Sequence, residues 1–225
     1  MKQFKIVLIA LFIVFSAIEI YAAFTNRVSL KFVSTPTLMP LLAIFYLSSV
    51  SKRNWFIVAA LIFSLLGDVL NQWQSIENIF MIETGAFLVA LVCYIIALSQ
   101  PISHFKKVPV AYYALLIVYI AYGIFIYSVL NPFLGDMRLP AIIYLTIVLL
   151  MSFSALTRIG QYRGYSFWLP FIGTLAFVAS DTFLAVNAFK YNGQLKYGDF
   201  LTTIFYIPAQ VLIVLGLMPK NEATA

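Results

Sequence analysis

The sequence predicts an all-α membrane protein, a bundle of about eight transmembrane helices that forms a single domain over residues 1–225. Of its 225 residues, 63% are hydrophobic and only 10% are charged. A soluble domain carries about 25% charged residues, so too few polar side chains are present to cover a water-facing surface. Apolar runs of about 20 residues recur along the chain, and they are continuous rather than alternating, which excludes a transmembrane β-barrel.

The breaks between the apolar runs carry turn residues or charge, for example at Ser51-Lys52-Arg53-Asn54 and at Asn192-Gly193. These breaks place the helices at about 4–24, 34–50, 54–73, 78–98, 109–130, 139–157, 165–188 and 198–218. The first run follows Lys2 and Lys5 and ends near a possible cleavage region, so a signal peptide is one interpretation. Its length and its Glu19 favour a retained membrane helix.

The basic residues favour a cytoplasmic location for both termini, because loops on that side are enriched in Lys and Arg. Nine of the 14 basic residues fall on the inner side in this orientation: Lys2, Lys5, Lys52, Arg53, Lys106, Lys107, Arg158, Arg163 and Lys220. The outer loops hold Arg27, Lys31, Arg138, Lys190 and Lys196. The net charge of +6 is therefore a topology signal on anionic lipid. We expect a bacterial inner-membrane location and no nucleic-acid partner.

Cys93 is the only cysteine and His104 the only histidine. An intramolecular disulfide is impossible, and a zinc site built from these residue types is not expected. We therefore expect neither a metal nor a cofactor.

Two aspartates, Asp68 and Asp181, lie inside long apolar runs. A carboxylate in hydrocarbon costs about 2.5–3.5 kcal/mol on insertion scales, so such a residue normally faces a bundle interior and marks a functional site. Both predicted helices run outward, and the two residues lie ~21 Å and ~24 Å along them at 1.5 Å per residue. The two carboxylates therefore fall at similar depth in the outer half of the membrane.

Other polar residues reach the same zone. Ser64, Asp68 and Asn71 share one helix face, as do Asp199, Thr203, Tyr206 and Gln210. These positions predict one outer-half cavity whose catalytic residues are Asp68 and Asp181. The candidate substrate-binding residues are Tyr206, Gln210, Asn187, Asn71, Tyr94 and Glu83.

Structural interpretations compete with these roles. Asp199 and Glu83 can lie in the headgroup zone, and Glu19 can reach water at the interface. Tyr206 and Gln210 can join helices by hydrogen bonds, and the two aspartates can form a purely structural pair. Gly67 and Gly173 are expected to permit close helix approach.

Three motifs resemble those of one known family. They are Gly67-Asp68, the SD-x-x-LA-x-N-x-F run from Ser180 to Phe189, and Tyr206-Ile207-Pro208-Ala209-Gln210. In this order, on an eight-helix frame, they resemble the lysoplasmalogenase family of YhhN-like membrane proteins, and the helix from Tyr144 to Met151 resembles its central helix. Two positions depart from the family pattern. Thr35-Pro36 stands where a Lys-Pro pair is common, and Leu91 stands where a histidine often precedes Tyr94.

The resemblance implies hydrolysis of the vinyl ether bond of a lysoplasmalogen, giving a fatty aldehyde and a glycerophospho-alcohol. This chemistry needs a protonated carboxylic acid and a nearby carboxylate, as in glycosidases, and the two aspartates would share these roles without individual assignment. Tyr206, Gln210 and Asn187 would orient water or hold the headgroup, and Arg27, Lys31 and Lys190 would meet the phosphate.

Two other classes of function remain open from the residues alone. A proton-coupled transporter of small molecules or lipids also carries intramembrane acidic residues. Asp68 and Asp181 lie on the third and seventh of the eight helices, a spacing that indicates a duplication of a four-helix unit. A non-catalytic lipid-binding or scaffold protein would tolerate the loss of both carboxylates.

Overall fold

The computed structural model describes residues 2–73, 79–100 and 110–219, and these ranges contain eight long helices and no strand. We number the helices in chain order as α1 Lys2–Thr25, α2 Val28–Ser49, α3 Trp55–Asn71, α4 Ile79–Leu98, α5 Leu116–Leu130, α6 Arg138–Leu156, α7 Tyr165–Ala185 and α8 Gly198–Leu217. A short helix, Val110–Tyr113, precedes α5, and a π-helical turn, Val186–Lys190, extends α7. His104, Lys106, Lys107 and Lys220 lie outside the described residues.

Seven of these helical segments are long and apolar enough to cross a membrane. The eighth, α3, is equally apolar but has 17 residues, which is at the lower end of the spanning range of about 17–25. The predicted all-α membrane bundle is therefore confirmed, and the protein is an integral membrane protein.

The prediction for α2 was wrong at its start, which lies at Val28 rather than at residue 34. Asn26, in the left-handed region with a φ of 54°, reverses the chain directly after α1. Pro36 and Pro40 lie inside the helix and do not begin it, because nearby polar groups in a membrane bundle can satisfy the backbone that a proline frees. Lys31 consequently belongs to a helix and has a fixed position.

The pair α7 and α8 forms the most extensive helix contact in the bundle, and Gly173 and Gly216 allow it. A Cβ atom at Gly173 would stand 2.9 Å from the backbone nitrogen of Ile213. The helices α3 and α4 form a second close pair, α1 packs on α2 and α8, and α6 lies against α4 and α7. By comparison, α5 packs only sparsely on α6 at the edge of the bundle.

Loop contacts define one end of the bundle. Asn54 Nδ2 donates to Gln100 Oε1 at 3.2 Å, and Tyr162 Oη donates to the Gln100 carbonyl at 3.1 Å. Arg158 Nη1 donates to the Leu98 carbonyl at 2.9 Å. These bonds bring the basic loops after α2 and α6 to one end, which is the end predicted to be cytoplasmic and which we call the inner end.

The first helix is an integral part of this bundle. Leu8, Ala22 and Ala23 are buried against its neighbours, and Glu19 points inward.

Replacing Gly173 with alanine should destabilise the protein by about 1–3 kcal/mol, because the added methyl group overpacks the contact between α7 and α8. Thermal or chemical unfolding in detergent measures this. Gly85→Ala is the matched control, since nothing lies within 4 Å of a Cβ atom there. Equal stability of the two variants would contradict the close contact at Gly173.

Candidate active site

Two cavities occupy the outer half of the bundle. The first, which we call the polar cavity, lies among α1, α2, α3, α4, α7 and α8. It is lined by four carboxylates and one lysine: Glu19, Asp68, Asp181, Asp199 and Lys31. The second, the apolar chamber, lies among α4, α5, α6 and α7, with Phe80, Ile126, Leu130, Val178 and Phe189 in its wall. The polar cavity has a volume of about 110 Å³ and the apolar chamber a volume of about 100 Å³.

Asp68 projects from α3 into the polar cavity and is 8% exposed. Its Oδ2 accepts a hydrogen bond from Tyr206 Oη of α8 at 3.0 Å. The preceding residue, Gly67, makes room for the ring of Phe87, which would lie 2.6 Å from a Cβ atom at that position. The Gly67-Asp68 motif thus places an acid and an aromatic ring side by side, since Phe87 also lines the cavity.

Asp181 projects from α7 and accepts a hydrogen bond from Tyr144 Oη of α6 at 3.0 Å. Its neighbour Ser180 donates to the Thr202 carbonyl at 3.0 Å, which fixes this turn of α7 against α8. Asp181 lines both the polar cavity and the apolar chamber. It is therefore the acidic residue that lies where polar and apolar surroundings meet.

The structure brings the two predicted catalytic aspartates to one cavity, as their equal predicted depth indicated. Each carboxyl group is bonded to a different tyrosine, Asp68 to Tyr206 and Asp181 to Tyr144. Within the described part of the chain, no hydrogen bond joins the two carboxyl groups directly. Sharing of a proton between them stays a prediction.

Glu19 and Glu83 lie inside the bundle, so the interpretation that Glu19 reaches water at the interface was wrong. Glu19 is 7% exposed and accepts hydrogen bonds from Ser34 at 2.5 Å and from Thr35 at 2.9 Å. Glu83 is 2% exposed and accepts a hydrogen bond from Asn71 Nδ2 at 2.6 Å. Both turn inward because a neighbouring helix supplies a donor at their level, and a bonded carboxylate tolerates burial.

Asp199 and Asn187 form the outer rim. Asp199 is ion-paired with Lys31 at 2.5 Å, and its side chain is 46% exposed, in agreement with a position in the headgroup zone. Asn187 donates to Asp199 at 3.2 Å and accepts from the Leu195 backbone at 3.0 Å. Asn187 therefore holds the connection between α7 and α8, and it lines neither cavity.

Tyr94 and Gln210 lie deeper, away from both cavities. Both are fully buried, and Tyr94 Oη donates to Gln210 Oε1. Gln210 Nε2 donates in turn to Ser64 Oγ at 3.1 Å, which joins α4, α8 and α3. This geometry favours the interpretation of helix–helix hydrogen bonds over substrate contact for these two residues.

Sequence reasoning did not identify several residues of the site. Tyr144 was noted only as part of a similar helix, although its hydroxyl bonds to Asp181. Phe87 and Leu184 line both cavities but give no signal among so many apolar residues. The one signal that could have identified Tyr144 as a site residue is its polar hydroxyl within the apolar run of α6.

Comparison with known proteins gives one match. The model of the YhhN family matches residues 30–217, a range that includes both aspartates and both bonded tyrosines but not Glu19. No curated protein and no solved structure matches the chain.

Substituting leucine for Gln210 should destabilise the protein by about 1–2 kcal/mol, because Tyr94 and Ser64 lose their buried partner. Thermal unfolding in detergent measures this, with Gln3→Leu on the exposed face of α1 as the control. If the variant is as stable as the parent protein but binds substrate less tightly, Gln210 contacts the substrate and the structural interpretation is wrong.

Proposed function

The chain belongs to the YhhN family, the family of lysoplasmalogenases, and we propose that it is a membrane hydrolase that cleaves the vinyl ether bond of lysoplasmalogens. The products are a fatty aldehyde and glycerophosphoethanolamine or glycerophosphocholine. The observation that carries this proposal is the position of Asp181, which lines a polar cavity together with Asp68 and also lines an apolar chamber. The vinyl ether of a lysoplasmalogen likewise joins a polar headgroup to a hydrocarbon chain.

The reaction proceeds by acid–base catalysis. A carboxylic acid protonates the β-carbon of the vinyl ether, which gives an oxocarbenium ion. Water attacks the α-carbon while the second carboxylate accepts the proton that the water loses. The hemiacetal then breaks its bond to the glycerol oxygen, which takes up a proton, and the aldehyde leaves. The sum of these steps adds one water molecule and consumes no other reactant.

The contacts of the two aspartates suit these roles. Tyr206 and Tyr144 hold the carboxyl groups from two different helices, so the reacting groups keep their positions without bonding to each other. Asp181 borders the chamber that would receive the hydrocarbon chain, whereas Asp68 lines only the polar cavity. The β-carbon belongs to the chain side of the ether, so we assign the acid to Asp181 and the activation of water to Asp68.

Lys31 is the basic residue that suits the phosphate of the headgroup. It lines the polar cavity next to Asp199, whereas Arg27 and Lys190 do not line it. Lys190 instead lies over the ring of Tyr191, 5.8 Å from its centroid. The Lys31–Asp199 pair offers a phosphate and an ammonium group complementary charges at the mouth of the cavity.

Replacing either aspartate with asparagine should lower aldehyde release by about 10²–10⁴-fold, which is the usual contribution of general acid–base catalysis. The measurement uses purified protein with lysoplasmenylethanolamine in detergent. Asp136→Asn, an exposed aspartate in the loop between α5 and α6, is the matched control and should leave turnover unchanged.

Turnover that survives in Asp68→Asn or Asp181→Asn, with the fold intact, would remove that residue from the mechanism. The transporter alternative would be favoured if the wild-type protein released no aldehyde but drove uptake of substrate into liposomes when a proton gradient is present.

Substituting glutamine for Lys31 should raise the KM for lysoplasmalogens by about tenfold and change kcat less, because a charge-assisted contact to phosphate is worth about 1.5–3 kcal/mol. Lys196→Gln, on the exposed loop before α8, is the control. An equal effect of the two substitutions would show that Lys31 acts through general surface charge rather than through a phosphate contact.

A further inference from the structure

We propose that the hydrocarbon chain of the substrate occupies the apolar chamber and continues into a second apolar groove between α5 and α6, and that this groove selects substrates by chain length. The inference rests on the proposed function and deepens it. We call this second feature the chain groove; Leu116, Ile120, Gly123, Leu149 and Phe153 lie along it.

The chain groove and the apolar chamber are neighbours. Tyr127 and Leu145 line both, in the same way that Phe87, Asp181 and Leu184 line both the chamber and the polar cavity. The three cavities are therefore adjacent, the first lined by carboxylates and the last by apolar side chains. A single-chain amphiphile has the same order of polar and apolar parts.

The direction of the chain groove also suits a lipid chain. Leu145 follows Tyr144, the partner of Asp181, and the groove continues along α6 to Phe153. The eight helical steps from Leu145 to Phe153 span ~12 Å, in the direction of the inner end. A chain whose ether lies at Asp181 would thus run toward the middle of the membrane, as the chains of outer-leaflet lipids do.

Two polar residues in the wall of the chain groove, Tyr119 and Thr146, are bonded within the protein. Thr146 Oγ1 donates to the Ile142 carbonyl at 2.7 Å, and Tyr119 Oη pairs with Ser152 Oγ at 3.1 Å. The groove consequently offers its occupant apolar surface. This apolar surface lies next to an acidic cavity. It is therefore complementary to the hydrocarbon chain of an amphiphile.

Gly123 keeps the chain groove open. A Cβ atom there would lie 3.0 Å from Leu149 Cδ1, so any larger side chain would fill the space between α5 and α6. A hydrocarbon chain gains little from leaving lipid for an apolar groove, because lipid tails are as apolar as leucine. Selection by this groove must therefore depend on shape, and a blocked groove should exclude long chains while it accepts short ones.

The test compares two lysoplasmalogens that differ only in their chains, octenyl and hexadecenyl. Gly123→Leu should lower kcat/KM for the hexadecenyl substrate by about tenfold or more and change it less than about twofold for the octenyl substrate, since a few misfitting methylenes are worth this much in a shaped pocket. Gly85→Leu makes the same change on the exposed face of α4, where the space is open, and should leave both values unchanged.

A second pair of variants guards against a folding defect in the first. Leu149→Phe narrows the chain groove from α6, and Leu139→Phe places the same ring on the 67% exposed position of that helix. The first should discriminate against the long chain and the second should not. Equal losses for both chain lengths, or no loss for either, in both groove variants would overturn the proposal.

A binding experiment separates this inference from the proposed hydrolysis. Octanoyl and palmitoyl lysophosphatidylethanolamine lack the vinyl ether, and their affinities for the wild-type protein and Gly123→Leu are measured directly. Selective loss of palmitoyl binding supports the chain groove even if no lysoplasmalogen is hydrolysed. Unchanged palmitoyl binding overturns it even if aldehyde is released.

Discussion

A carboxylate inside the hydrocarbon layer must receive a hydrogen bond, and the outer half of this bundle is organised around that requirement. Four acids inside the bundle are each bonded to a donor on a different helix, so each pair also fixes two helices together. The four pairs are Glu19 with Ser34, Asp68 with Tyr206, Glu83 with Asn71, and Asp181 with Tyr144. These pairs join α1 to α2, α3 to α8, α3 to α4 and α6 to α7. The acids that form the site therefore also fix the relative positions of the helices that surround it.

Small residues determine which helices approach closely enough for these bonds to form. Gly67 admits the ring of Phe87, Gly173 lets α7 lie directly on α8, and Gly198 receives the side chain of Asn187. These close contacts make α7 and α8 a rigid support for Asp181 and Tyr206. In contrast, α5 packs sparsely against the bundle and leaves apolar space beside α6. The bundle thus combines a tightly held polar region with a loosely packed apolar edge, a division that suits an enzyme acting on an amphiphile.

The proposed path through the three neighbouring cavities changes in polarity from one cavity to the next. Lys31 and Asp199 carry opposite charges at its mouth, Asp68 and Asp181 face its middle, and aliphatic side chains of α5 and α6 border its end. A lysolipid has the same sequence of charged headgroup, ether bond and hydrocarbon chain. Its reacting bond would then lie beside the residue that borders both environments, so binding of the two ends would position the bond for proton transfer.

The sequence by itself determined the eight helices, and it predicts an outward direction for α3 and α7 and a similar depth for Asp68 and Asp181. Hydropathy, chain direction and 1.5 Å of rise per residue suffice for these. Its motifs also indicated the family. Only the tertiary structure decided that Glu19 and Glu83 turn inward, that Lys31 lies on a helix beside Asp199, and that Tyr144 holds Asp181. The same applies to Tyr94 and Gln210, which bond to each other away from both cavities. Sequence spacing gives the depth of a residue and the face it shares within its own helix, whereas its hydrogen-bond partner depends on the rotation of neighbouring helices, which packing alone sets.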